Sequence, residues 1–270
     1  MYIEATKSKI HHDEALLESF RAESIDSVVS FFLIYAMENS FQFLVEKQRI
    51  KIDHNLDLLK LIVNHYKSRI GEFKDAPLIR IFFYIGLCFL EFENESHYKK
   101  LEDTFRSNYQ VIKKVDRKNI YAMMQTYCQE KMAKGKTIYR EKNLDMMIEM
   151  LETNTAASAE TEYFNLNFCR NLIVLAFLNK KTNVIEDFIS KYLSSVNPVN
   201  RESIEHYAHA HLHYLRNRFL EALEECNKIS FDELFVSTND NMYFKNDVKK
   251  LTLICCYELN PDFSLGISYE

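Results

Sequence analysis

The stretch "HAHLHYLRNRFLEALEECNKI", residues 209–229, holds two helical segments around one polar turn. Periodicity predicts helices over about 201–216 and 219–229, and the triplet "RNR" (216–218) separates them. So short a turn sends the second helix back along the first. The element is a helical hairpin, and the rest of the chain repeats it.

Upstream, helices are predicted near 161–179 and 182–195 around "NKKTN", and near 117–134 and 136–152 around Gly135. Before these comes the amphipathic "ESHYKKLEDTFRSNYQVIKK" (95–114). Before that, "LIRIFFYIGLCFLEF" (78–92) is apolar nearly all round, which predicts burial on several sides. "DAPLIR" reads as its start, with Asp75 as cap and Pro77 in the first turn. Asp53 or Asn55 opens "LDLLKLIVNHYKSRI", which ends near Gly71, and Asp26 caps a helix running to about Lys47. A last helix, near 242–259, stops at "NPD" (260–262). Hairpins in series, each about 35 to 42 residues, predict an all-α solenoid rather than a closed bundle.

Composition agrees. The 270 residues include 4 Gly and 3 Pro, against average usage of about 7% and 5%. Few turn formers and abundant Leu, Glu, Lys, Met, Phe and Tyr suit helices joined by short polar loops. Net charge is −5 with a pI near 6.0, and like charges form no long run. That argues against a general nucleic-acid binder, which needs a basic face. The most apolar run, "VVSFFLIYAM" (28–37), is half the length of a membrane span. The N-terminus has no apolar signal core. Six scattered cysteines without a CxxC pattern predict a reduced, cytoplasmic setting.

These hairpins resemble tetratricopeptide repeats. In 209–229, Ala210 falls where that motif has a small residue in its first helix, and His213 where it is usually aromatic. Phe219 and Ala222 match the aromatic and alanine that open its second helix. "NLIVLAFLNKKTNVIEDFISKYL" (171–193) fits the frame loosely through Leu172 and Ile185. "FFYIGLCFLEFENESHYKKLEDTF" (82–105) supplies Gly86, Phe89, Tyr98 and Leu101 with a longer loop, and "YAMMQTYCQEKMAKGKTIYREKNLDMM" (121–147) fits more loosely again. The whole is similar to uncharacterised bacterial proteins with divergent repeats. The resemblance implies a right-handed superhelical solenoid of antiparallel helix hairpins over 76–230. Residues 1–75 would be a divergent helical start, and 231–270 a loop with a capping or truncated helix.

The repeat frame also implies a concave side lined by first helices. It places Arg80, Phe83 and Leu87 there, then Lys118, Tyr121 and Gln125, then Asn167, Arg170 and Val174, then Tyr207, His211 and Tyr214. Three are cationic, four aromatic and none acidic. Such a lining suits a protein or peptide partner with acidic groups. A non-catalytic scaffold without cofactor is therefore expected, binding neither nucleic acid nor membrane. Residues 1–70 show no basic recognition helix of the kind found in peptide-responsive bacterial regulators.

A second expectation comes from "EHYAHAHLHY" (205–214), which holds four of the nine histidines. His206, His209 and His213 fall on one helical stripe, at i, i+3 and i+7, while His211 points elsewhere. Three imidazoles on one face can hold a metal, making a metal-binding or pH-responsive protein the alternative. No HExxH and no Cys pairing supports it, and packed histidines bonded to Tyr or Glu are the simpler outcome. Cys255–Cys256, His11–His12 and the Lys134–Gly135–Lys136 turn read as packing, a terminal arm and a loop.

Overall fold

Residues 28, 32, 34–36, 57–157, 162–231 and 238–260 are described by the computed structural model of the chain. Among them every regular element is a helix, joined by one isolated parallel bridge between Phe164 and Val196. The helix expected from Asp26 to Lys47 lies outside the described residues, apart from helical positions 28, 32 and 34–36. The chain divides into two compact units, Met1–Arg117 and Lys118–Glu270.

In the first unit, α1 (Asp57–Lys67) buries Leu59, Ile62, Val63 and Tyr66, a stripe at i, i+3, i+4 and i+7. The stripe packs on α2 (Pro77–Leu90), which packs in turn on α3 (Ser96–Ser107). Buried Ile79, Ile81, Phe82, Ile85 and Cys88 surround α2, as its all-round apolar sequence predicts. Gly86 sits where α1 and α2 come closest: a Cβ there would lie 2.7 Å from Val63 Cγ2. The α2 cap differs from expectation. Pro77 takes the first helical position, so Ala76 is the cap residue and Asp75 lies one residue too early to serve. Glu91, after α2, accepts from Lys67 at 2.7 Å and pairs with His97 at 2.7 Å. Those two hydrogen bonds hold its carboxyl below the usual carboxylate range.

Helix α4 (Lys114–Ala133) carries the chain into the second unit. There follow α5 (Ile138–Glu152), α6 (Leu166–Leu178) and α7 (Thr182–Asp187). The chain continues through α8 (Pro198–Leu215), α9 (Phe219–Asn227) and α10 (Thr238–Leu259). Four of these helices end in the same way. Gly135, Asn154, Lys180 and Asn217 have φ of 83°, 52°, 55° and 58°, the left-handed region. Beside them, amides 136, 155, 181 and 218 reach back to carbonyls 131, 150, 176 and 213 at 2.8–3.0 Å. Each is a Schellman turn, which satisfies terminal carbonyls and reverses the chain. Asn side chains cap two of the returning helices: Asn165 accepts from the Phe168 amide and Asn197 from the Val199 amide.

The helix expected over 182–195 is not continuous. After α7 the backbone widens into a π turn over Phe188–Tyr192 and then tightens into a 3₁₀ turn over Leu193–Ser195. Helices in this unit pack on their sequence neighbours: α5 on α6, α6 on α7, α7 on α8, α8 on α9, α9 on α10. In addition α6 packs on α8, and α10 returns to touch both. Ala208, Ala210 and Ala222 are fully buried on α8 and α9, which pack on each other. Tyr127 and Tyr139 join α4 to α5 edge to face, with ring centroids 5.7 Å apart. Among the described residues no helix is long and apolar enough to cross a membrane. The cysteines are free thiols, buried except for Cys256.

Candidate functional site

Tyr207, His211 and Tyr214 fall at i, i+4 and i+7 along α8, and Arg170 of α6 meets the same neighbouring helix as the two tyrosines. That neighbour is α10. Asp247 of α10 accepts from Arg170 Nε at 2.6 Å, and Arg170 also stands over the Tyr243 ring at 5.8 Å. Phe244 packs on Tyr207, with ring centroids 4.8 Å apart. The Tyr214 hydroxyl donates to Glu258 at 3.3 Å. Arg170 and Tyr214 thus meet two acids of α10, Asp247 and Glu258, within the chain itself.

His211 is buried. Its Nδ1 is 2.9 Å from the Tyr207 carbonyl oxygen. A carbonyl only accepts, so Nδ1 carries the proton. Phe177 meets the ring edge at 5.0 Å. Burial pushes the His211 pKa down to about 4, against the raising influence of that hydrogen bond and of Asp247. Tyr207 is fully buried, and its hydroxyl has no hydrogen-bond partner.

A second part of the predicted lining meets at an opening. Gln125 and Val174 border a recess of about 160 Å³ between α4, α5 and α6. Gln129 and Met132 join Gln125 from α4, Asn143 and Met147 come from α5, and Asn171, Leu175 and Leu178 join Val174 from α6. Asn143 is 2% exposed, and its Oδ1 has no hydrogen-bond partner. Asn171 Oδ1 accepts from Arg170 Nη1 at 2.9 Å, so the recess adjoins the Arg170 site.

The other expected residues are dispersed. Tyr121 is buried in α4, and Lys118 donates to the Ala157 carbonyl at 3.3 Å. Asn167 is half-buried at the start of α6. In the first unit, Phe83 and Leu87 are buried in α2 and Arg80 is half-buried on it.

The histidine stripe separates into two environments. His206 Nδ1 lies 2.7 Å from Glu225 Oε2. Burial pushes the Glu225 carboxyl up, but hydrogen bonds from Lys228 and His206 outweigh it and hold the group low. His209 and His213 face each other with ring centroids 6.3 Å apart. Burial, and then the neighbouring His209, lower the His213 pKa. Among the described residues no three His, Cys, Asp or Glu side chains are placed to hold a metal ion.

Sequence reasoning did not identify Asn143, Gln129 or Asn171. Asn143 carried a usable signal: it interrupts the buried stripe Tyr139, Met146, Met147 and Met150 of α5. A carboxamide on such a stripe requires a partner. Comparisons with protein-family models, curated proteins and solved structures gave no match to this chain.

Proposed function

We propose that the chain is a non-catalytic interaction scaffold of divergent tetratricopeptide type, a solenoid of helix hairpins that holds a peptide segment on its first-helix side. The observation that carries this reading is the α6–α8 face. It already holds a helix through an Arg170–Asp247 ion pair and a Tyr207–Phe244 contact. Support for the repeat architecture comes from neighbour-on-neighbour packing and from buried Ala210 and Ala222, where the resemblance expects small residues. Since α10 covers Arg170 and Tyr207, the accessible part of the first-helix side includes Gln125 and Val174 at the recess. The partner is a protein or peptide with acidic groups.

The test is selection from a displayed peptide library against wild type and a Gln125→Glu, Val174→Glu variant, with circular dichroism on both. Wild type should enrich a related set of acidic peptides that the folded variant fails to hold. Equal enrichment by the two proteins, or none by wild type, overturns the reading. Arg170→Glu is unsuited here because it sets two acids against each other at Asp247. Buried His211 supports a second reading, a pH-responsive helical protein, whose consequence is measurable by the acid titration below.

A further inference from the structure

A second opening lies in the first unit, and its walls are mostly apolar. Phe32 and the α1 residues Leu58, Leu61, Ile62, Asn64 and His65 line a groove of about 590 Å³. Helix α1 commits its Leu59, Ile62, Val63 and Tyr66 stripe to the core, which leaves Leu58 and Leu61 on its outer side. Phe32 has exposed apolar company as well. Val28, Phe32 and Tyr35 are helical positions at i, i+4 and i+7, the spacing of one stripe. All five of these outward side chains are 49–68% exposed.

Three observations bear on what covers this face. The first is area. Five large apolar side chains exposed to that degree present on the order of 500 Å², the size at which a patch marks an interaction site. A two-fold contact buries it twice, on the order of 1,000 Å² in all, which is what a specific interface needs. The second is filling. A benzene-sized group occupies roughly 150 Å³, so the groove takes about four such groups. The same face projects that many from a second copy: Phe32, Tyr35, Leu58 and Leu61. The third is charge. Charged side chains on α1 and just after it are paired within the chain, Lys60 with Asp57 at 3.2 Å and Arg69 with Glu72 at 2.9 Å. Arg69 Nη1 also lies 3.3 Å from His65 Nε2, and because a guanidinium only donates, that nitrogen accepts and carries no proton. A face so balanced meets its own copy without like-charge repulsion, and it offers nothing to select a charged partner.

From this we infer that the chain forms a symmetric dimer in solution through the groove face of its first unit. Each copy sets Phe32 and the α1 leucines into the groove of the other. The contact is isologous, the same patch serving on both sides. Two exposed helical stripes from each copy combine into a four-helix arrangement with an apolar centre. The dimer goes beyond the peptide-binding reading and is independent of it, since it uses no residue of the second unit.

Sedimentation velocity of the full chain, from about 1 to about 200 µM, tests the dimer. An interface at the small end of the size range should give a monomer that passes to a dimer in the micromolar range. Leu61→Glu places a charge at an exposed position and should weaken the dimer at least tenfold with circular dichroism unchanged. Phe32→Glu serves where that variant fails to fold. Leu253→Glu, at a comparably exposed leucine of α10, should dimerise like wild type. A wild-type chain that stays monomeric at the top of the range overturns the inference. A dimer that survives Leu61→Glu and Phe32→Glu, or that Leu253→Glu dissolves equally, overturns the assignment to this face. Thiol labelling adds a second readout: in a Leu58→Cys, Cys256→Ser chain, protection of residue 58 should rise with protein concentration. Protection that is the same at every concentration would assign the cover to the chain's own residues and sink the dimer.

Discussion

Arg170 on α6 and Asp247 on α10 meet at a single carboxylate oxygen: Nε lies 2.6 Å and Nη2 2.5 Å from Oδ2. Both side chains are largely shielded, at 19% and 15% exposure. Losing one member leaves the other buried without a counter-charge, which costs about 3 kcal/mol. Asp247→Ala should therefore lower the urea midpoint and raise amide exchange along α10 before other helices respond. The exchanged pair Arg170→Asp, Asp247→Arg should recover part of the loss. Unchanged exchange in α10 would mean that the ion pair does not hold the helix.

The approach of α1 to α2 at Gly86 makes a separate prediction. An added methyl meets Val63 Cγ2 at 2.7 Å, and a β-branched side chain in a helix has little freedom to move aside. Overpacking costs about 2 kcal/mol, of which the better helix former returns about 1. Gly86→Ala should be destabilising by the difference, and Val63→Ala added to it should cost less than Val63→Ala alone. Thermal melts of the four proteins in the cycle decide it.

At the α4–α5 turn the cost has another origin. A Cβ on Gly135 meets nothing within 4 Å, but the residue has φ of 83°. Gly135→Ala should lose about 1 kcal/mol from backbone strain alone. Gly135→Asn should lose less, since Asn tolerates the left-handed region. Denaturant titration of the two variants separates backbone strain from steric clash.

Acid should weaken the second unit through His211. Its folded pKa, pushed down to about 4, lies below the ordinary 6.5. Between those values the unfolded chain takes up a proton that the folded chain refuses. Stability is therefore full above about pH 6.5 and falls as pH drops toward 4, by roughly 3 kcal/mol in all. Asp247 from α10 opposes the shift, Phe177 from α6 is neutral, and His213 contributes in the same direction as His211. Thermal melts from pH 7.5 to 4.5 should show the decline, and His211→Phe should flatten it. An equal slope in that variant would place the titration elsewhere.

The helices were legible because apolar periodicity and polar turns agree along most of the chain. Gly135, Asn154 and Asn217 have the residue types that mark a left-handed turn. Lys180 makes the same turn with no such mark. Asp75 was misplaced by one residue because the sequence alone does not say whether Pro77 is the first or second helical position. Arg170, Tyr207 and Tyr214 all contact α10. Their cover was invisible because Asp247 stands 77 residues from Arg170 and no local pattern links them. Asn143 lines the recess together with Gln125 and Asn171, which stand on two other helices, so no local pattern links the three.

The π turn over Phe188–Tyr192 bears on how such a chain changes its length. Its i→i+5 bonding accommodates one residue more than an α turn does. Each residue of an α-helix turns the next side chain by about 100°, so one surplus residue would normally rotate everything beyond it off the buried face. Here Phe188, the first residue of the widened turn, and Val196 beyond it are both fully buried. Insertions and deletions are ordinarily confined to loops, but a π turn holds its extra residue within the helical run.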